Sequence, residues 1–150
     1  MASPEKHRLL RLTLPIPPSI NEQYATINGR RVSTAVARRF KQHVHTRLTS
    51  LERDGMLPKE LREHLRQSYL SLFLAFYFET PLKRDLDGGL KITQDALCDS
   101  LGLNDNRIVT IRLVKYIDPL HPHLDVELEA LEDWQFDEEY VVIKPRKEGS

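Results

Sequence analysis

A chain of 150 residues, 40% apolar and 29% charged, has the size and composition of one globular domain with a single core. Its longest apolar run, Leu70 to Phe78 broken only by Ser71, falls far short of the roughly 20 residues a membrane helix needs. The first eight residues lack the apolar stretch of a secretory signal, and a lone Cys98 excludes an internal disulfide and a cysteine-based zinc site, so the chain reads as cytoplasmic.

Zero net charge conceals a gradient. Residues 1–50 carry nine basic and two acidic side chains, residues 51–116 ten of each, and residues 117–150 three basic and ten acidic. This asymmetry fits a polyanion binder with a masking acidic end, although charge alone favours the plainer reading of a pair of solvated faces. The first reading carries an expectation of salt-sensitive binding.

Leu10, Leu12 and Leu14 alternate with polar residues and predict a strand, which Pro15-Ile16-Pro17-Pro18 ends. Val36, Phe40, Val44, Leu48 and Leu51 recur at helical spacing from Ser33, with Gly55 as the stop. A shorter helix begins at Pro58 and uses Leu61 and Leu65. Tyr69 to Phe78 predicts a central strand covered on both faces. Ile92, Ala96, Leu97 and Leu101 form a further helical stripe, closed by Gly102 in a left-handed cap. Ile108 to Ile117 and Leu124 to Leu131 predict the two arms of a hairpin joined through residues 118–123, and Tyr140 to Ile143 an edge strand. The sum is an α+β domain: one mixed sheet packed against two or three helices, with its core over about residues 8–131 and an acidic extension over 132–150.

The chemistry concentrates in Lys83-Arg84-Asp85-Leu86-Asp87-Gly88-Gly89-Leu90-Lys91, with Asp95 and Asp105 downstream. In extended backbone, residues two apart face the same side, so Asp85 and Asp87 can aim both carboxylates at one point from about 7 Å apart. Such a pair is costly unless a cation lies between the two or one is protonated, and oxygen ligands suit Mg²⁺ or Mn²⁺. Lys91, four residues past Asp87 and four before Asp95, can contact a phosphate held there. The same spacing also describes a plain surface ladder of Asp87–Lys91–Asp95 ion pairs, worth a few tenths of a kcal/mol each.

Two motifs taken in order narrow the choice. Leu12-Thr13-Leu14-Pro15-Ile16-Pro17-Pro18-Ser19-Ile20-Asn21 resembles the opening of the RusA family of Holliday junction resolvases, where a strand runs into P-x-P-P-S-x-N. The middle of the chain resembles the same family: Lys83-Arg84, then Asp85-Leu86-Asp87, Lys91, Asp95-Ala96-Leu97, Gly102 and Asp105. The resemblance covers residues 10–117. It implies a RusA-like fold, with Asp85, Asp87 and Asp105 as the acidic triad that holds catalytic Mg²⁺ (Mn²⁺ as substitute) and Lys91 as the catalytic lysine. The implied activity is paired, symmetrical cutting of a four-way DNA junction by a bacterial or phage-encoded homodimer. Arg30, Arg31, Lys83 and Arg84 are candidates for backbone phosphate contacts, with Asn21 a further DNA-contacting residue.

A helix from Gly89 to Leu101 spans about 20 Å, whereas the residues from Gly102 to Asp105 reach back at most about 13 Å. Either that helix is shorter or tilted, or a two-fold partner completes the site. Gly88-Gly89 stands where the family often has an asparagine, and together with the acidic stretch from Glu127 to Glu139 this motivates an alternative: a non-catalytic junction binder or phage architectural protein. Asp85-Leu86-Asp87-Gly88 also resembles the opening of haloacid-dehalogenase-type phosphatases, although there it follows an apolar strand near the N-terminus. The His43/His45 and His121/His123 pairs read as solvated, Cys98 as a small core residue. Trp134 and Phe136 dock either on the body or on a partner.

Overall fold

The computed structural model describes residues 4–137. After a 3-10 turn at Glu5–His7, the chain forms β1 (Leu9–Leu14), the one-turn helix α1 (Ile20–Gln23), β2 (Tyr24–Ile27) and β3 (Arg30–Ser33). Then come α2 (Ala35–Arg53), α3 (Lys59–Gln67), β4 (Tyr69–Phe78), α4 (Leu90–Leu101), a second 3-10 turn at Asp105–Arg107, β5 (Ile108–Ile117) and β6 (His123–Leu131). The main sheet has the order β1-β6-β4-β5, with β4 and β5 parallel and β6 antiparallel to both of its neighbours. This is the expected α+β domain with a mixed sheet.

Periodicity explains most of it. Leu10, Leu12 and Leu14 of β1 are buried while Arg11 and Thr13 are exposed and pair across to Glu127 and Asp125 of β6. Along α2 the buried stripe is Ala37, Phe40, Val44, Leu48 and Leu51, and Thr34 caps the helix by accepting from Ala37 N. Val36, expected in that stripe, is 42% exposed, because a step of one residue turns it about 100° away from Ala37. Gly102 closes α4 at φ 71°, and Leu103 N donates to Cys98 O at 2.9 Å, as a left-handed cap requires.

Three expectations change. Ile108–Ile117 and Leu124–Leu131 do not form a hairpin: β4 lies between them, and the connection crosses its end, where Asp118 N donates to Phe78 O at 2.8 Å. Central β4 is covered on one face only. Leu70, Leu72, Leu74, Phe76 and Phe78 are buried in the core with α2, α3 and α4, whereas Phe73 and Tyr77 are half-buried on the other face. There Tyr77 stacks between Tyr116 of β5 and His123 of β6, at 4.9 and 4.3 Å between ring centres, so His123 is not a freely solvated side chain. The strand expected at Tyr140–Ile143 lies outside the described residues. Phe136 docks on the body: its ring meets Tyr69 edge-on at 5.2 Å and Trp134 at 5.9 Å.

The second sheet, β2 with β3, carries a signal in Ile27-Asn28-Gly29-Arg30. Asn28 at φ 51° and Gly29 at φ 77° make a two-residue turn with both central residues left-handed, which Asn-Gly favours. Reading the residues before α2 as an undivided approach to the helix misses this hairpin.

Candidate functional site

The loop between β4 and α4 is held on both flanks. From the N-terminal side, Pro17 and Pro18 are buried, and a Cβ on Gly89 would lie well inside van der Waals contact with Pro17 Cγ, so only glycine fits there. The buried Gln23 side chain donates to both Pro18 O (2.9 Å) and Gly88 O (3.1 Å), tying the P-x-P-P-S segment to the residue after Asp87. From the C-terminal side, Lys115 Nζ donates to Arg84 O (2.8 Å) and Pro81 O (3.3 Å). Neither Gln23 nor Lys115 was anticipated. Lys115 does leave a trace in the sequence: it occupies the phase of Ile111, Leu113 and Ile117, where an apolar residue is expected. Gln23 leaves none.

Asp85 and Asp87 are exposed on either side of Leu86, which packs against the core. The segment is not the extended backbone expected, however: residues 86–89 form turns, so the period-two argument for a shared side does not apply. Their carbonyls accept from Gly88 N (3.3 Å) and Leu90 N (3.1 Å), while their carboxylates make no hydrogen bond or ion pair among the described residues. Gly88 has no steric need to be glycine, since a Cβ there would meet only Asp85 O at 3.5 Å.

Lys91, in the first turn of α4, donates to Asp95 Oδ1 at 2.9 Å, and its Nζ lies 3.9 Å from Asp105 Oδ2. The hydrogen bond to Asp95 and that carboxylate's charge, with a smaller contribution from Asp105, raise the pKa of Lys91 and hold it as an ammonium. Asp105 thus returns to Lys91 within one chain. The lysine arm reaches one turn forward to Asp95, which leaves about 9 Å of helix to Leu101, and the three residues after Gly102 span that. One rung of the expected Asp87–Lys91–Asp95 ladder exists, the one to Asp95.

Arg84 is half-buried. Its guanidinium donates to Pro17 O at 2.7 Å and lies 5.5 Å from the Phe78 ring centre, while its buried Nε has no partner. Burial lowers its pKa, and the charge of Glu22 opposes that shift. Glu22 itself is held below the usual carboxylate range by the Ser19 hydroxyl (2.7 Å) and the Ser19 backbone N–H (3.3 Å). Exposed Lys83 lines a cavity of about 240 Å³ with Ile16, Phe78, Thr80, Arg84 and Pro122. Arg30, Arg31 and Asn21 stand apart on the β2–β3 hairpin and α1, all exposed. Cys98 is buried on α4, and burial, together with the charges of Asp105, Asp95 and Asp99, pushes its thiol up to about 11.

Three residues are thus gathered, Lys91, Asp95 and Asp105, beside a loop that presents Asp85 and Asp87. Among the described residues no group of three or more His, Cys, Asp or Glu stands close enough to hold a metal ion. The donor chemistry nonetheless suits Mg²⁺, which commonly binds through one or two carboxylates and completes its shell with water and substrate phosphate. Among the described residues no helix is long and apolar enough to cross a membrane. In comparisons with known proteins, the chain matches no family model and no curated sequence.

Proposed function

We propose that the chain is a Mg²⁺-dependent, structure-specific endodeoxyribonuclease that resolves four-way DNA junctions by paired nicks, acting as a homodimer in recombination and repair. The observation that carries this reading is the convergence at the start of α4. An exposed carboxylate pair, preceded by Lys83 and Arg84, leads into α4, where a lysine held cationic meets a carboxylate returned from beyond the helix. Carboxylates beside cations suit a phosphodiester better than a neutral substrate.

Asp85 and Asp87 would hold the ion, with water and substrate phosphate completing its shell, while Asp105 stands with Lys91. The ion would supply a nucleophilic water and charge neutralisation at the phosphorus centre. Lys91 places an ammonium where a scissile phosphate or its leaving oxygen would stand, and Asp95 fixes that ammonium in position. Arg84, half-buried beside exposed Lys83 and with no carboxylate within 4.0 Å among the described residues, adds positive charge for a neighbouring phosphate.

The test is incubation with a mobile synthetic four-way junction in Mg²⁺ or Mn²⁺ beside Asp87→Asn. The reading predicts nicks from the wild type that the substitution abolishes. Tight binding without nicks in either metal would instead favour a junction binder with a silent site, the reading motivated by Gly88 in place of a polar residue.

A further inference from the structure

The β2–β3 hairpin is paired only with itself, and every residue from Tyr24 to Val32 is exposed. Its footing is nonetheless firm. Thr34 Oγ1 donates to Glu22 O (2.6 Å), Thr34 N donates to Gln23 O (3.0 Å), and Gln23 reaches Gly88 beside Asp87. A rigid ribbon is thus planted next to the candidate site, and Tyr24 stands close enough to Lys91 to act on it electrostatically.

The ribbon has two chemically different faces. Cross-strand pairing puts Tyr24, Thr26, Arg31 and Ser33 on one side, and Ala25, Ile27, Arg30 and Val32 on the other. On the first side the Arg31 guanidinium lies 4.1 Å from the Tyr24 ring centre. Between this side and α1 runs a groove of about 470 Å³, lined by Ile20, Asn21, Tyr24, Thr26, Gly29 and Arg31 among others. That volume is in the range of small-ligand sites. Its exposed aromatic and aliphatic surface, Tyr24 at 42% and Ile20 at 54%, is covered by no element among the described residues. From Gln23 to Leu51 the sequence holds six Lys or Arg and no Asp or Glu, so an occupant should be anionic.

We infer that this groove takes one unpaired nucleotide of a nucleic acid strand, its base stacked against the Tyr24–Arg31 pair, its edge hydrogen-bonded by the Asn21 amide and its phosphate neutralised by Arg31. Bases stack on tyrosine rings and guanidinium planes irrespective of sequence, and an amide offers both a donor and an acceptor to a base edge. Cationic charge alone would bind a duplex backbone; the exposed Tyr24 ring and Ile20 beside it add the surface that a base out of its stack would use. The inference rests on the proposed nucleic-acid function, and a branch point is where such a base is cheapest to extrude.

The test compares a short fluorescein-labelled oligothymidylate with a blunt duplex of equal length, by anisotropy at fixed salt, for wild type, Tyr24→Ala, Tyr24→Phe and Asn21→Ala. Tyr24→Ala should weaken oligothymidylate binding about 10-fold and leave the duplex unchanged, with Tyr24→Phe close to wild type. Asn21→Ala should also act on the single strand alone, and it decides the matter if circular dichroism finds Tyr24→Ala unfolded. Equal affinity in wild type and variants, an equal loss on duplex, or no single-strand binding by the wild type would each overturn the inference. Junction nicking is scored separately. A wild type that nicks but shows no Tyr24 dependence loses the groove and keeps the nuclease; one that binds through Tyr24 and nicks nothing does the reverse.

Discussion

Lys91 sits between two carboxylates, and this arrangement has a consequence for pH. The hydrogen bond and charge of Asp95 stabilise the ammonium, so the lysine loses its proton at higher pH than a free lysine. If its proton or charge serves the reaction, activity falls as pH rises through that elevated pKa. Asp95→Asn removes the stabilising carboxylate, and the alkaline limb of the kcat profile should move to lower pH, with activity at neutral pH less affected than by Lys91→Ala. A limb that stays in place would mean Lys91 does not set it. Lys91 was legible because its spacing to Asp95 defines a helical turn, whereas the extended backbone expected at Asp85–Asp87 gave way to turns that local alternation does not signal. The part played by Asp95, as the partner of Lys91, was visible only as a ladder, because spacing cannot say which of two carboxylates the ammonium takes.

At the scale of elements, the two glycines after Asp87 differ. Gly89 is pressed against Pro17, and Gly89→Ala should cost about 1–3 kcal/mol through overpacking, read as a lowered midpoint in urea unfolding with the slope unchanged. Gly88→Ala makes only an ordinary contact with Asp85 O and should stay within about 0.5 kcal/mol of wild type. Equal losses at both positions would show that the P-x-P-P segment does not brace the loop. β1, α2 and α4 were legible because each repeats its apolar residue at a single period. The β5–β6 hairpin failed for a reason outside either strand: five residues are enough to cross a strand end, and local pattern cannot reveal that β4 occupies the middle. The β2–β3 hairpin was overlooked even though Asn28-Gly29 announces it, since its strands lack a clean apolar alternation. Gln23 and Lys115 brace the site across 65 and 31 residues of sequence, separations at which no periodicity operates.

At the scale of the whole molecule, the charge gradient becomes spatial in part. The arginine-bearing hairpin and α2 as far as Leu51 form an acid-free stretch, whereas Asp125, Glu127 and Glu129 lie on β6, where Arg11 and Thr13 of β1 pair with Glu127 and Asp125 and Arg8 with Glu129. Acidic side chains on β6 are therefore partly neutralised within the sheet. Because Lys91 reaches Asp105 within one chain, each protomer of a dimer should carry its own site. Mixing Asp87→Asn with Asp105→Asn protein should then restore no cutting, whereas recovered activity would show that the site is shared. The central claim is paired, metal-dependent resolution, and a supercoiled plasmid that extrudes a cruciform tests it most directly. With Mg²⁺ the wild type should convert it to linear DNA, the product of two symmetrical nicks, and Asp87→Asn should leave it supercoiled. Plasmid left supercoiled, or merely relaxed by single nicks, in the presence of wild-type protein would contradict the account.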